Sequence, residues 1–387
     1  MSTLKVGAIR GVSASSDAVT VANDGTCTAN ITNKPNRNLI INGDMQVAQR
    51  GTTSTTNGFG SVDRFPVFSQ STDEAPTHAQ VDVSSGTTPY TSGFRKSLKI
   101  TNGNQTSGAG GGDLIAISYP VEAQDLANSG WNYLSSSSFV TLSFYVKSSV
   151  AQNFYVMLRS EDGTQRAYVI ETGSLSADTW TKITKTIPGN SGLQFDNNTG
   201  RGLLIEFVQF RGTDGTGSVT LNQWATYSSS ARVPNMTSTW YTTNDATFEI
   251  TGVQLEVGSV ATDFEHRSFA QELLLCQRYY QEVGMSVQMA GGSSGSSAIG
   301  NVNVPIACAM RAAPTVASGI TYHMWHGNND GKNNNGTAMT VASYGTSIPQ
   351  HSTALRGNVT GFSGVTDNRS GSVCANSGTV IKLTAEI

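Results

Sequence analysis

Aromatic residues that stand beside hydroxyl and amide residues are the feature of this 387-residue sequence best suited to ligand binding. Sugars bind where ring faces give apolar contact and fixed polar groups give hydrogen bonds. Trp–Tyr pairs of this kind lie among Ser, Asn and Thr residues, and they are Trp131 with Tyr133, Trp224 with Tyr227, and Trp240 with Tyr241. We take Trp131, Tyr133, Trp240 and Tyr241 as candidate ligand-binding residues. The alternative is that these rings belong to a core or to subunit contacts.

The aromatic run at 322–326 is a second candidate ligand site. Tyr322, Trp325 and His326 precede an amide-rich loop at 328–336. Rings and amides suit a neutral glycan because neither partner must desolvate a full charge. The alternative is ordinary packing. A metal site is disfavoured because His323 and His326 would point to opposite faces of a strand.

Signals of catalysis are absent from the sequence. We find no GxSxG elbow, no HExxH, no phosphate loop and no spaced carboxylate pair. We therefore expect a protein without catalytic residues, cofactor or metal. The cysteines Cys27, Cys276, Cys308 and Cys374 lie far apart without CxxC spacing, which favours free thiols.

Composition predicts an all-β fold. Charged residues make up only 13% of the chain, against about 25% in average soluble domains. Ser, Thr, Asn, Gly and Val are common, and these residues suit strands and turns better than helices. A net charge of -3 gives no electrostatic basis for nucleic-acid binding. No apolar run approaches 20 residues, so we expect no membrane insertion.

The order of elements divides the chain into four predicted segments. These are an N-terminal arm at 1–36, a β-sandwich of jelly-roll type at 37–267, a connecting helix at 268–282, and a C-terminal β domain at 283–387. The sandwich is indicated by strand-like runs separated by turns. The predicted strands are 39–42, 97–101, 113–120, 139–148, 153–160, 165–171, 180–187, 202–210 and 247–257.

Two local patterns make sharper predictions. Ser268 and Gln271 have capping-box spacing, which predicts a helix from 268 to 281 with Phe269, Leu273, Leu274, Cys276 and Tyr280 on one face. Strict alternation over 247–257 predicts that Val253, Leu255 and Val257 face inward.

Several stretches resemble a family of bacteriophage tail-fibre and other virion proteins whose central domain is similar to carbohydrate-binding jelly rolls. The stretches are NLIINGDM at 38–45, QRG at 49–51, VDRF at 62–65, FEITGVQLEVG at 248–258, ATDFE at 261–265 and CQRYY at 276–280. STLKV at 2–6 is similar to the start of structural proteins of marine and cyanobacterial phages, and 310–316 matches loosely. Some carbohydrate-binding relatives hold calcium with an Asp-Asp pair near the last strand, where this chain has Thr251 and Gly252.

The resemblance implies a phage structural protein located in the virion, made in the host cytoplasm. Its implied function is that of a homotrimeric tail fibre that recognises a host-surface glycan during adsorption. Residues 1–36 would attach it to other virion proteins through Leu4, Val6 and Ile9. One alternative is a head-decoration, head-fibre or baseplate component that makes no receptor contact. A polysaccharide depolymerase is a further alternative, disfavoured because the repeats of a β-helix are missing.

Overall fold

Strands make up most of the regular structure in the computed structural model, and the fold is all-β as the composition predicts. The structure describes residues 6–13, 17–21, 27–29, 35–284, 289–296, 299–317, 322–326, 334–336, 338–343, 354–361, 370–375 and 380–387. Short strands near the N-terminus form one sheet in the order β1-β2-β3, and they are β1 (Ala8–Ile9), β2 (Val19–Val21) and β3 (Cys27–Ala29).

The body of the molecule contains twelve strands between residues 53 and 257. They are β4 (Thr53–Ser54), β5 (Val67–Gln70), β6 (Thr77–Asp82), β7 (Lys96–Thr101), β8 (Leu114–Glu122), β9 (Phe139–Ser148), β10 (Asn153–Ser160), β11 (Arg166–Ser174), β12 (Thr181–Pro188), β13 (Arg201–Arg211), β14 (Trp224–Thr226) and β15 (Thr247–Val257). Several boundaries, including those of β9, β10 and β15, fall where the sequence predicts them.

The C-terminal strands form two further sheets, ordered β16-β25-β19 and β21-β20-β24-β17-β18-β23-β22. They are β16 (Tyr280–Gly284), β17 (Met289–Ser296), β18 (Ile299–Pro305), β19 (Thr315–Val316), β20 (Tyr322–His326), β21 (Asn334–Gly336), β22 (Ala338–Ser343), β23 (Ala354–Thr360), β24 (Ser370–Ala375) and β25 (Val380–Thr384). The α-helices of the described chain are α1 (Thr88–Thr91), α2 (Ala123–Ala127), α3 (Thr239–Thr242) and α4 (Phe269–Gln277). Within these ranges no helix is long and apolar enough to cross a membrane.

Two six-stranded sheets face each other in the body. The first sheet has the order β14-β11-β10-β13-β8-β5, and the second has the order β12-β9-β15-β7-β6-β4. Rings from facing strands meet between them: the centroids of Phe144 and Phe207 lie 5.0 Å apart, and so do those of Phe154 and Phe248. Fully burying one such side chain stabilises a fold by about 1.5–3 kcal/mol. The body is therefore a β-sandwich of jelly-roll type, as predicted.

A bulge in β15 overturns the alternation predicted for that strand. The pairing of β15 with β9 shifts register between Thr251 and Gln254, and Gly252 has a φ of 64°. The extra residue reverses the alternation, so Phe248 and Ile250 face the core before the bulge, and Val253 and Leu255 face it afterwards. Val257 is 40% exposed, which corrects its predicted inward position.

The predicted first strand at 39–42 runs beside β15 without forming a ladder. Leu39 N donates to Leu255 O at 2.9 Å, and Val253 N donates to Gly43 O at 2.9 Å. Between these bonds the side chain of Asn38 takes the place of a backbone partner, because its Oδ1 accepts from Leu255 N at 3.1 Å. Asn42 then turns the chain away with a φ of 60°.

Helix α4 begins at the predicted capping box and ends earlier than predicted. Gln271 N donates to Ser268 Oγ at 3.3 Å, and Ser268 N donates to Gln271 Oε1 at 3.0 Å. The helix ends at Gln277 because Tyr280 already pairs with Thr384 in the adjacent sheet. Its predicted apolar face is buried only in part: Cys276 and Tyr280 are 1% and 3% exposed, whereas Phe269 and Leu274 are 58% and 49% exposed. The buried side chains of α4 are Glu272 and Cys276.

Candidate functional site

Most of the predicted ligand-binding aromatics lie inside the protein. Trp240 is fully buried, and its Nε1 donates to Thr247 O at 3.0 Å. Tyr241 stacks on Phe210, with 4.2 Å between ring centroids. Trp131 is 4% exposed, and Tyr133 is half-buried with its ring 4.9 Å from that of Phe195. This corrects the prediction for Trp131, Trp240 and Tyr241, because a buried ring offers no face to a sugar.

Of the three C-terminal candidates, one is also buried and two have side chains that the structure does not describe. Tyr322 is 1% exposed within the C-terminal core, so its predicted contact role is also corrected. Burial raises the pKa of Tyr322 to about 12. Trp325 and His326 pair with Ser372 and Gly371 across β20 and β24, while their side chains lie outside what the structure describes. Their contact role stays a prediction.

The N-terminal candidates lie at the surface where they are described. Val6 is 46% exposed and Ile9 is 56% exposed. Leu4 lies outside the described residues. Attachment through these residues therefore stays a prediction.

Three of the resemblance motifs, QRG, VDRF and CQRYY, converge on a buried junction between the sandwich and the C-terminal strands. The guanidinium carbon of Arg64 lies 3.4 Å from the centroid of the Tyr279 ring, and that of Arg50 lies 3.6 Å from the centroid of the Tyr280 ring. Both arginines pair with Glu386 of the C-terminal segment. Glu386 and the nearby Asp63 offset these guanidinium charges inside the protein, so the motifs hold the C-terminal strands in place and present no open ligand site.

Arg278, from the same motif as the two tyrosines, and Arg311, from the loosely matching stretch 310–316, complete this junction. Arg278 binds both carboxylate oxygens of Glu122 at 2.9 Å, the bidentate geometry in which guanidinium–carboxylate pairs are strongest. Arg311 Nε donates to Ala385 O at 2.7 Å, and its Nη1 donates to Thr199 O at 2.6 Å. The loose match at 310–316 therefore has a structural basis as well.

An aromatic-edged cleft of about 340 Å³ lies on the outer side of the second sheet. We call it the aromatic cleft. It opens between the segment after α1 and the segment after β15. The residues that line it are Thr91, Ser92, Phe94, Ser143, Tyr145, Lys182, Gly252, Thr262, Asp263, Phe264 and His266.

The rings of the cleft form one contiguous group. The ring centroid of Phe94 lies 5.6 Å from that of Tyr145, 4.9 Å from that of Phe264 and 5.2 Å from that of His266. Phe94 is buried, while Phe264 is half-buried and His266 is exposed. The group therefore runs from the sheet surface to solvent and gives the cleft an apolar wall.

Polar groups stand at fixed positions around this wall. Ser92 Oγ lies 2.9 Å from the Tyr145 hydroxyl oxygen, and Ser92 O lies 3.0 Å from His266 Nε2. The Nζ of Lys182 lies 5.8 Å from the centroid of the Tyr145 ring. Asp263 is exposed and supplies a carboxylate. Donors and acceptors beside ring surfaces are what a sugar hydroxyl pattern requires.

The bulge in β15 makes room for the cleft floor. A Cβ atom on Gly252 would stand 2.6 Å from Cζ of Phe94, which is closer than real Cβ contacts. The positive φ of Gly252 also disfavours any side chain. Only glycine at this position leaves room for the Cζ edge of the Phe94 ring beside the strand, so Gly252 positions the rings of the cleft.

A larger groove of about 720 Å³ lies beside residues 35–41 and α2. Its described lining includes amides, Arg267, Val257 and Leu275 but no aromatic ring. It is therefore less suited to stacking on a sugar. Across the part of the chain that the structure describes, no three His, Cys, Asp or Glu side chains gather as a metal site requires.

Comparisons with known proteins find similarity in solved structures alone. No family model and no curated protein matches the chain. The enzymatically active domain of tailspike protein 4 of bacteriophage CBA120 has a TM-score of 0.31 and 10% identity over 58% of this chain and 22% of that chain. This chain therefore spans about a fifth of that tailspike structure.

Carbohydrate-binding modules are also among the similar structures. The family 11 module of a cellulosomal cellulase of Clostridium thermocellum has a TM-score of 0.25 and 14% identity over 56% of this chain and 98% of that chain. The tandem CBM22 domain of Paenibacillus barcinonensis Xyn10C has a TM-score of 0.26 and 9% identity over 90% of this chain and 98% of that chain. No family membership follows from these similarities.

Proposed function

We propose that this chain is a bacteriophage virion appendage protein, a trimeric tail fibre that binds a host-surface glycan through the aromatic cleft. The aromatic cleft is the observation that carries the binding proposal. The virion role is supported by the resemblance of residues 38–65 and 248–280 to phage fibre proteins. The low charge content also favours it, since neutral hydroxyl and amide surfaces suit glycans.

The residues that line the cleft suit binding of a sugar rather than its hydrolysis. Asp263 is the one carboxylate among the described residues that line it, whereas glycoside hydrolysis uses a pair. Phe264 and His266 would contact the apolar face of a sugar ring, while Lys182, Asp263 and Ser92 would bond its hydroxyls. A single shallow site of this kind binds weakly. Three copies on one fibre would raise the overall avidity without new contacts.

Exposed cleft residues allow a test that does not disturb folding. Lys182 and His266 are both exposed, and we expect Lys182→Ala and His266→Ala each to weaken polysaccharide binding about tenfold. Lys182→Ala removes a hydrogen bond to a charged group, which contributes about 1.5–3 kcal/mol, and His266→Ala removes a ring that contacts the sugar face. The measurement is the affinity of the purified chain for immobilised bacterial O-antigen and for neutral polysaccharides. Mass in solution, measured on the same sample, checks the trimer.

Lys185→Ala is the matched control. Lys185 lies on the same strand as Lys182 but pairs with Leu142, so its side chain leaves the sheet on the opposite face. Its replacement should leave polysaccharide affinity unchanged. Equal affinity of all three variants and the wild type would reject the cleft as the glycan site.

A further inference from the structure

An arginine cluster lies on the outer side of the first sheet, away from the aromatic cleft. The guanidinium carbon of Arg159 lies 4.5 Å from the centroid of the Tyr227 ring, and that of Arg232 lies 5.7 Å from the same centroid. Arg159 belongs to β10 and faces outward because its neighbour Leu158 lies in the core. Arg232 comes from the loop after β14. Strand and loop thus bring two cations to one ring.

Arg211 is the buried member of this cluster, since it lies close enough to Arg232 and Arg159 for their charges to act on it. It ends β13 and is 8% exposed. Its Nε and Nη2 make no hydrogen bond to any residue that the structure describes. The nearest carboxylate oxygen, Oε1 of Glu206, lies 3.8 Å from Nη2, beyond hydrogen-bond distance. Buried charged donors without partners are costly and rare in native proteins, so these groups call for an acceptor.

The carboxylates near the cluster do not balance its charge. Glu161 Oε1 accepts from Arg159 Nε at 2.7 Å, but Glu161 also pairs with Arg201 at 3.3 Å. Within the described part of the chain, Arg232 Nε donates to a backbone oxygen, Ser229 O at 3.3 Å. The cluster therefore keeps a positive excess in a chain whose net charge is -3. Burial lowers the pKa of Arg211, and the nearby Arg232 and Arg159 lower it further.

We propose that Arg159, Arg211 and Arg232 form a binding site for an anionic group: a carboxylate, sulfate or phosphate. Guanidinium groups bind such anions through paired N–H donors, and burial strengthens the attraction. Arg159 and Arg232 are partly exposed and give the anion access. The anion supplies the acceptor that Arg211 lacks. This site is independent of the proposed glycan cleft, since the two use different residues on opposite sides of the sandwich.

Titration of the purified full chain with defined anions tests the proposal. Sodium sulfate, sodium phosphate and sodium glucuronate are added at constant ionic strength, with sodium chloride as the background, and heat of binding is measured. We expect saturable binding of at least one anion. Arg211→Gln and Arg232→Gln should each weaken it at least tenfold, which corresponds to about 1.4 kcal/mol. Preference for glucuronate would assign the site to a uronic acid, and preference for the inorganic anions to a sulfate or phosphate group.

Arg95→Gln is the control for a single arginine stacked on a tyrosine. The guanidinium carbon of Arg95 lies 4.0 Å from the centroid of the Tyr90 ring, on the other side of the sandwich. Its replacement should leave anion affinity unchanged. Arg232 is partly exposed, so we expect Arg232→Gln to fold. If Arg211→Gln fails to fold, the anion affinity of Arg232→Gln tests the proposal. Absence of saturable binding, or unchanged affinity in Arg232→Gln, would overturn the proposal.

Discussion

The outer faces of the two sheets are both covered by other residues, but the two covers differ in how far their buried polar groups are hydrogen-bonded. On the first sheet the cover is largely apolar, and the buried residues Met157, Val169, Val208 and Val233 form a small second core with Val219, Leu221 and Tyr227. At its edge Arg211 and Glu206 are buried, and each has a side-chain atom without a hydrogen bond among the described residues.

On the second sheet the cover combines the rings of the aromatic cleft with buried polar groups, and these polar groups are paired. Glu256 accepts from Thr262 N at 2.8 Å and from Thr262 Oγ1 at 2.7 Å. Glu249 accepts from Ser97 Oγ at 3.1 Å and pairs with Lys147 at 2.8 Å. The bonds of Glu256 fix Thr262, the first residue of the segment 262–266 that forms one wall of the aromatic cleft.

This difference in hydrogen bonding corresponds to two kinds of binding surface. A satisfied polar network rigidifies its surroundings and so fixes the shape of a neighbouring site. An incompletely satisfied one leaves donors whose partner a ligand can supply. The cleft beside the second sheet is therefore expected to select by shape, and the arginine cluster beside the first sheet by charge.

The largest expected effect on stability concerns two similar bulges, one in each sheet. Each has a Thr-Gly pair at a register shift: Thr172 and Gly173 in the first sheet, and Thr251 and Gly252 in the second. Both glycines have positive φ, at 75° and 64°. A Cβ on Gly173 would meet nothing within 4 Å, whereas one on Gly252 would collide with Phe94.

Replacement of each glycine by alanine separates backbone strain from crowding. We expect Gly173→Ala to lower the free energy of unfolding by about 1 kcal/mol through its left-handed backbone. Gly252→Ala should lower it by about 3 kcal/mol, because overpacking adds about 1–3 kcal/mol. Urea denaturation of both variants gives the comparison. Equal losses would show that Phe94 moves freely and that the bulge does not fix the cleft.

Most strands of the sandwich could be predicted because both their faces follow simple rules. In β9 the core residues Val140, Leu142, Phe144 and Val146 alternate with polar ones, and the predicted boundaries are correct. In β15 the same rule fails after Thr251, because a bulge adds one residue. A glycine in a strand permits a bulge but does not require one. The bulge is therefore visible only in the pairing of β15 with β9 and not in the sequence of β15 alone.

The cleft was not predicted, and its residues explain why. Tryptophan beside polar residues is the pattern in the sequence that indicates a sugar site. Trp131 and Trp240 nevertheless lie in the core, because the burial of a large ring strongly stabilises the fold. Tyr145 does carry a local signal, since it stands on the polar side of the β9 alternation. Phe94 and His266 join it from segments far apart in sequence, and no local pattern predicts that meeting.

Removal of both buried charges at the first sheet should have an intermediate effect, of opposite sign. The double variant Glu206→Leu and Arg211→Met keeps the volume of both side chains. Replacement of a poorly paired buried ion pair by apolar residues is neutral or stabilises by about 1–4 kcal/mol. We expect the free energy of unfolding to rise by about 1–2 kcal/mol. Thermal and urea denaturation measure it, in buffer free of the three test anions.

The matched change on the second sheet should have the opposite result. Glu249→Leu with Lys147→Met removes a pair whose carboxylate is fully bonded, at 2.8 Å from Lys147 Nζ and 3.1 Å from Ser97 Oγ. We expect this double variant to be destabilised, because Ser97 loses its acceptor. If both double variants change stability equally, the contrast between a satisfied and an unsatisfied cover does not hold.

The last expected effect concerns pH and belongs to neither outer side of the sandwich. Asp63 lies at the buried junction, where burial raises its pKa to about 6, although Gln49 and Arg50 favour the charged form. Gln49 N donates to Oδ1 at 3.0 Å, Arg50 Nη1 lies 3.8 Å from the same oxygen, and Glu386 and Cys276 are also close. The pKa in the unfolded chain is about 3.9.

Between these two values the folded state holds a proton that the unfolded state has lost, so stability falls as pH rises from about 4 to about 6. Above about pH 6 the contribution is constant. For one proton the slope is at most about 1.4 kcal/mol per pH unit. Asp63→Asn cannot ionise, and its unfolding free energy should fall less steeply over that range than that of the wild type. Asp82→Asn, at an exposed site on the second sheet, should keep the wild-type slope. A slope unchanged in Asp63→Asn would place the proton uptake elsewhere, with Asp44 and Asp125 next to test because burial also raises their pKa values to about 6.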